Sequence, residues 1–337
     1  MKKTGSRSIV FENGVGIVSR AAIAGQKEKE GPLGESFDET FSDDLLGQNT
    51  WEKAESEMLR RTIVLCAKKA GKNANDIGAL LAGDLNAQII SSGFAARELG
   101  VPFIGMYGAC STMTEGLMTG ACLVDGGAVD NAVCAASSHF CTAERQFRTP
   151  LELGSQRPPS AQWTATAAGA IMLSKTKDAK AYVTHGTIGR VIDMKIKDAN
   201  QMGAAMAPAV MDTMLGHMED TGRKFSEYDL IVTGDLGLIG REILKELLSR
   251  KTGKQFDNEI FDCGAQMYSN DQDTHAGGSG CGCIASILSG YILNEIEKGK
   301  YRRILALGSG AMLSLASTLQ GESIPSVSYA VSIERRD

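Results

Sequence analysis

Short apolar runs alternate with longer amphipathic ones along this 337-residue chain, and the alternation is gone through twice. Thr50 to Ala70 has helical periodicity, with Thr50 placed to cap its start and Gly71 to stop it. A strand run at Ile77 to Ala82, a helix at Asn86 to Leu99 closed by Gly100, and a strand at Phe103 to Tyr107 follow. Then come a buried helix at Ser111 to Gly126, a strand at Asn131 to Ala136 and, past a loop through Pro158-Pro159, a strand at Ala168 to Ser174. Beyond a break near Lys175 to Ala181 the series resumes. It runs through a methionine-rich helix at Ala199 to Thr221, a strand at Leu230 to Thr233 and a helix at Ile239 to Ser249. A long helix at Gly282 to Lys298 and strands at Arg303 to Leu307 and Ser326 to Ser332 complete it.

Strands separated by whole helices are joined by crossovers, which predicts an α/β fold with mostly parallel sheets covered by helices. The near-repetition predicts two halves, 1–175 and 176–337. The stretch 26–49 is acidic and aperiodic, and is expected as a surface excursion with Glu28 to Glu30 and Asp43-Asp44 as solvated charges.

Composition narrows the function classes. With 35 basic against 40 acidic residues the net charge is −5, and no predicted helix carries a basic stripe. Nucleic acid is therefore not an expected partner, and neither is polybasic attachment to lipid. The longest apolar runs, Ile284 to Leu293 and Ile304 to Ala316, are too short or too broken by Gly and Ser to span a bilayer. Met1 to Gly5 leads into no apolar segment, so no secretory signal is expected. Eight cysteines in that setting read as free thiols, with Cys66, Cys122 and Cys134 as small buried hydrophobes. Cys281-Gly-Cys283 lacks a second ligand pair at zinc spacing, and no metal site is assigned.

The stretch Val101 to Leu117, VPFIGMYGACSTMTEGL, points to chemistry. Cys110 stands where a helix begins, among unpaired N–H groups and the positive end of the helix dipole. That setting is expected to lower a thiol pKa and to suit either a nucleophile or the binding of a carboxylate. Of the four histidines, His139 follows a strand, His185 precedes Gly186, and His275 lies in a glycine-rich turn. His217, beside Met214 and Met218, reads as a histidine satisfied within the packing.

Four segments in order carry a resemblance: Cys66 to Leu85 (CAKKAGKNANDIGALLAGDL), Ser91 to Leu117, Asn131 to His139 (NAVCAASSH) and Ala167 to Lys175 (AAGAIMLSK). Together they resemble the thiolase and ketoacyl-synthase superfamily over essentially the whole chain. The resemblance implies duplicated αβαβα layers, two halves related by a pseudo-twofold axis, and a homodimer. Cys110 falls on the family's nucleophile. The turn Thr274-His275-Ala276-Gly277-Gly278-Ser279-Gly280 is similar to the family's histidine turn with one residue fewer, so His275 is the candidate base.

Two positions depart from the family. Thr233-Gly234-Asp235-Leu236-Gly237 holds neither the histidine nor the asparagine expected after that strand. Leu305 to Gly310 lacks the second cysteine of thiolases. Losing one oxyanion donor costs on the order of 10²–10³ in rate, and losing the acid/base a further ~10²–10⁴. The expectation is a pocket that has outlived its reaction. An active acyltransferase with Cys110 as nucleophile and His275 as base is the alternative, and a scaffold with a vestigial pocket is a third reading.

SIVFENGVGIVSRAAIAGQKEKEGPLG, GACSTMTEGL and CGAQMYSNDQDTHAGGSGCGC narrow the resemblance to the sporulation branch of the superfamily. That branch implies binding of dipicolinic acid (pyridine-2,6-dicarboxylate), free or as its Ca²⁺ chelate, in spore formation and germination. It implies no other cofactor, and a peripheral place at the spore inner membrane beside integral-membrane proteins of the same system. Cys110, His139, His185, His275, Gly278 and Ser279 are the residues expected around the ligand, the last two through an anion-binding backbone nest.

Overall fold

Ten strands position the site in the computed structural model, which describes residues 1–147, 157–253, 255–256 and 259–336. Ser8–Ala24 (β1), Ala79–Gly83 (β2), Phe103–Gly105 (β3), Asn131–Ser138 (β4) and Ala167–Ser174 (β5) come from the first half of the chain. Ala181–Thr187 (β6), Leu230–Thr233 (β7), Ile260–Asp262 (β8), Arg303–Ala311 (β9) and Ser326–Arg335 (β10) come from the second. They hydrogen-bond in the order β8-β7-β9-β10-β6-β1-β5-β4-β2-β3. Counted outward from the β1–β6 seam, each half lays its strands in the sequence first, fifth, fourth, second, third. In both halves the inner pairs are antiparallel and the outer pairs parallel.

The sheet is therefore mixed and not mostly parallel. The expectation failed because it missed β1 and β6, the two strands that form the antiparallel seam. β1 hides in the sequence because polar Glu12 and Asn13 interrupt its apolar alternation, at a point where its register against β6 shifts between Val10 and Val15.

Helices close both faces. Trp51–Lys69 (α1) and Ile90–Leu99 (α2) cover the first half, and Thr50 Oγ1 accepts the Lys53 N–H at 3.4 Å as the expected cap. Met202–Thr221 (α5) and Gly237–Thr252 (α6) cover the second half. Thr112–Asp125 (α3) and Cys281–Ile287 (α7) pack at the centre, and every residue of α7 is buried. Phe140–Phe147 (α4) follows β4, and Leu315–Leu319 (α8) lies between β9 and β10. α7 carries only small and apolar residues on all faces, as a helix sealed between layers must. Three apolar cores result: one around α3 and α7, one beneath α1, and one beneath α5 and α6.

The excursion 26–49 is anchored, contrary to a fully solvated reading. Glu28 is 1% exposed. Its carboxyl accepts hydrogen bonds from the Thr166 N–H (3.0 Å) and the Tyr268 hydroxyl, and burial pushes its pKa up to about 6. Asp38 Oδ2 accepts the Ala22 N–H at 2.9 Å. Glutamate needs those internal donors to be tolerated in a dry place; no periodicity announces them.

Candidate functional site

Cys110 sits in a tight turn, Ala109–Ser111, one step before α3. The turn is held by its own hydroxyls. Ser111 Oγ donates to the Gly108 carbonyl (2.6 Å) and Thr112 Oγ1 to the Ala109 carbonyl (2.7 Å). Ala109 has φ 50°, a left-handed conformation that costs a non-glycine residue energy and recurs at functional turns. β9 can approach this turn because it is glycine there. A Cβ on Gly310 would lie 2.1 Å from the Gly108 carbonyl oxygen, and one on Gly308 would lie 2.4 Å from Thr114 Oγ1. The missing second cysteine of Leu305 to Gly310 thus leaves a strand shaped for contact with the Cys110 turn.

Between these two glycines Ser309 projects the other way, toward Asp235 (3.4 Å, Oγ to Oδ1). Asp235, just beyond β7, is fully buried. Its Oδ2 accepts the Gly280 N–H (2.9 Å) and the Ser279 hydroxyl (3.3 Å), and its carboxylate accepts the Cys110 thiol. Asp262 builds the turn that aims it inward. The Asp262 carboxylate takes the Leu236 and Gly237 N–H groups at 2.9 Å each and Thr233 Oγ1 at 2.7 Å. Gln162 Nε2 ties the Asp235 carbonyl (2.8 Å) to the Gly278 carbonyl (2.7 Å).

This constellation inverts the expected electrostatics of the thiol. Burial raises the Cys110 pKa well above the ordinary thiol value, and the nearby Asp235 and Cys281 raise it further. The dipole at the turn does not overcome them. Burial in turn pushes the Asp235 carboxyl up to about 7, despite the hydrogen bonds that favour its charged form. A thiolate is favoured by a cationic neighbour; Cys110 has a carboxyl whose charge opposes it.

Cys110 and Ser279 form the floor of a cleft of about 780 Å³, measured to its open mouth. Leu85, Tyr107, Phe147, Met202 and Leu313 give it apolar and aromatic walls, with Gln162, Thr164, Asn200 and the carboxylate of Glu144 as polar points. Among the described residues the lining contains no lysine, arginine or histidine.

The expected residues divide accordingly. Cys110 and Ser279 meet in the cleft, and Gly278 lies behind it as a strand residue paired with Trp163. His275 is not beside Cys110. It has φ 53° in an exposed loop, with Nδ1 on the Pro158 carbonyl (2.8 Å) and Nε2 on Asp273 (3.1 Å). His139 is buried away from the cleft: the Cys141 N–H donates to its Nδ1 (3.1 Å), so its Nε2–H donates to the Asp44 carbonyl (2.9 Å) and clamps the excursion. His185 lies on β6, with Nδ1 3.0 Å from Thr184 Oγ1 and its ring 6.2 Å from that of His217. His217 is satisfied on both nitrogens, by Thr187 Oγ1 (2.7 Å) and the Tyr228 hydroxyl (2.6 Å). Gln162 and Ser309 escaped the sequence reading, and Asp235 entered it only as one of several carboxylates, with Asp84, Asp271 and Asp273, able to meet a chelated Ca²⁺. Only Asp235 had a signal, its place after the strand where the family keeps a histidine or asparagine. Among the described residues no group of three or more metal-ligating side chains converges.

Comparison with known proteins places this geometry. OleA from Xanthomonas campestris, solved with lauric acid and lauroyl-CoA, matches 95% of this chain and 99% of its own at a TM-score of 0.62 and 14% identity. 3-Oxoacyl-[acyl-carrier-protein] synthase III from Aquifex aeolicus VF5 matches 95% of this chain and all of its own, with a TM-score of 0.57 and 13% identity. The chain thus has the thiolase-like fold of the ketoacyl synthase III proteins. Within that class, residues 5–334 match the sequence model of Stage V sporulation protein AD. The Stage V sporulation protein AD of Bacillus subtilis (strain 168) is 41% identical over 335 residues, 99% of this chain and 98% of that one. The chain belongs to the Stage V sporulation protein AD family.

Proposed function

We propose that this protein binds dipicolinic acid in the cleft above Cys110, without turning it over, and passes it to membrane partners of the sporulation system. The observation that carries the reading is the Cys110–Asp235 contact. It removes the nucleophile while leaving an open, aromatic-walled cleft. Acyl transfer is not favoured, since the described lining supplies no histidine and burial beside Asp235 holds the thiol protonated.

The charge of the lining refines the ligand. A free dianion placed where no cationic side chain meets it keeps a large desolvation cost. The one-to-one Ca²⁺ chelate carries no net charge, and we expect it to bind more tightly near neutral pH.

Two surfaces support the assembly part of the proposal. β3 ends the sheet with its outer edge unpaired among the described residues, and Phe103, Ile104 and nearby Tyr107 are 36%, 41% and 54% exposed. Such an edge is a pairing site for a second copy. Ile188, Val191 and Met194 are exposed, as are Met312, Leu315 and Leu319. Backbone hydrogen bonds tie both segments to the stretch 324–326, from Ile324 to Ile196, from Ser326 to Ile192 and from Met312 to Pro325. Among the described residues no helix is long and apolar enough to cross a membrane, so the reading assigns membrane contact to this apolar surface.

The test is calorimetric titration of dipicolinate, with and without Ca²⁺, into the wild type and Cys110→Ser. Saturable one-site binding is expected for both proteins, because serine keeps the shape and the hydrogen bond. Absence of binding at millimolar ligand by folded protein would refute it.

A further inference from the structure

Asp235 does not line the cleft, yet both polar groups of the cleft floor lean on it. The Ser279 hydroxyl donates to Oδ2 at 3.3 Å, and the Cys110 thiol donates to the same carboxylate. In that state their hydrogens point away from the ligand space, and the floor offers only lone pairs. Ser309 donates to Oδ1 at 3.4 Å and the Gly280 N–H to Oδ2 at 2.9 Å, so the carboxylate is saturated with donors and fixed in place.

We propose that Asp235 selects the form of the ligand by its protonation. Ionised, it holds the Ser279 and Cys110 hydrogens inward, and the floor suits the neutral metal chelate. Protonated, it donates to Ser279 and turns that hydrogen outward, and the floor suits a free carboxylate. This inference rests on the cleft being a dicarboxylate site.

The step balances as one proton. Water supplies H⁺ to Asp235 Oδ2, the carboxyl then donates to Ser279 Oγ, and the Ser279 hydrogen passes from Asp235 to a ligand carboxylate oxygen. No bond between heavy atoms is made or broken. Burial sets the Asp235 carboxyl to about 7, so both forms are populated near neutrality.

The groups facing Asp235 come from four places. They are Asp262 at the end of β8, Cys263 beside it, Cys281 and Cys283 on α7, and Cys110 on its turn. Asp262 opposes the charged carboxylate, while the Cys110 thiol favours it. Glu28 and Glu55, brought by burial to about 6 and about 8, also titrate in this range but line other parts of the fold.

The test is calorimetry of the full chain with dipicolinate alone, and with its Ca²⁺ chelate, between about pH 6 and pH 8.5 in buffers of different ionisation enthalpy. The ligand carboxylates stay ionised throughout that range. Free dipicolinate should bind with uptake of close to one proton above neutrality, and its affinity should fall about tenfold per pH unit there. The chelate should bind without proton uptake. In Asp235→Asn the proton uptake should vanish while Glu28 and Glu55 remain, which excludes them as its source.

Free-ligand affinity that is flat with pH and independent of buffer overturns the selector and leaves the binding site standing. No binding of either form at any pH overturns both. Because the wild-type profile alone decides, failure of the variant to fold does not spare the inference.

Discussion

The carboxylate of Asp235 lies beside the Cys110 thiol, so a charge that opposes the thiolate stands where attack by the sulfur would need a cation. The pair comes from opposite halves of the chain and joins the two central turns of the fold. It makes the nucleophile of an enzyme superfamily into a packing and hydrogen-bonding residue.

Reactivity of the thiol follows directly. Cys110 should be alkylated by iodoacetamide at about pH 8 at least about tenfold more slowly than free cysteine, since only the thiolate reacts. Asp235→Asn removes the opposing charge and should speed the reaction about tenfold. Peptide mapping of the modified protein reads both. A thioester on Cys110 after exposure to acyl-CoA, seen by intact mass, would contradict the picture.

His139 is a structural clamp, with Asp44 on one nitrogen and the Cys141 N–H on the other. His139→Ala removes both hydrogen bonds from part-buried groups, at a cost of about 1 kcal/mol each. Thermal unfolding should report this loss. Dipicolinate affinity should not change, and a large drop in affinity with intact stability would return His139 to the ligand site.

By linkage, stability should have an acid limb from buried histidines and an alkaline limb from buried carboxyls. Burial lowers the His217 pKa to about 3 and the His185 pKa to about 4, with nearby charges adding to the effect. The folded state therefore binds fewer protons than the unfolded chain, and stability is lost as pH falls from about 6.5. Burial raises the Glu55 pKa to about 8, and neighbouring Asp84 raises it further. The folded state there holds a proton the unfolded chain gives up, so stability is lost as pH rises from 4.5 toward 8. Glu55→Gln can keep the contacts to Asn86, Thr142 and Ser137, with the serine hydroxyl turned to accept, and should flatten the alkaline limb. Denaturant midpoints across pH for wild type and this variant test the sign.

At the sheet edge, Ile104→Lys puts a charge on the exposed face of β3. Sedimentation should show the wild type as a dimer and this variant shifted to monomer, with an unchanged melting temperature. A wild type that sediments as a monomer at micromolar concentration would remove the second copy from the proposal.

On the apolar surface, Leu315→Ser together with Leu319→Ser should release the protein from isolated spore inner membranes while dipicolinate binding persists. Leu319 is 78% exposed, so its loss cannot disturb a core. Retention of the double variant on membranes would place the contact elsewhere.

Much of the fold was legible because periodicity reports burial. α1, α3, α5, β4, β5 and β7 declared themselves by period and by their caps. β1 and β6 did not, since Glu12 is exposed where the β1 register shifts and His185 on β6 is met by Thr184, so polar residues interrupt both runs. Glu28 failed for a related reason: a charged residue in an aperiodic stretch looks solvated until Tyr268 and Thr166 are seen around it.

The amino-acid order alone determined the alternating elements, their near-repetition, and a cysteine in a turn that opens a central helix. Those are local properties, set by period, caps and glycine. Which side chain would stand beside that cysteine was decided only by the tertiary structure. The pairing of β7 with β9 brings the Asp235 turn next to the glycines that hug Cys110, and burial then sets both pKa values. The same packing turns His275 out to a surface loop and spends His139 on a clamp. Proximity across a sheet leaves no trace in spacing along the chain, and desolvation is a property of the assembled core.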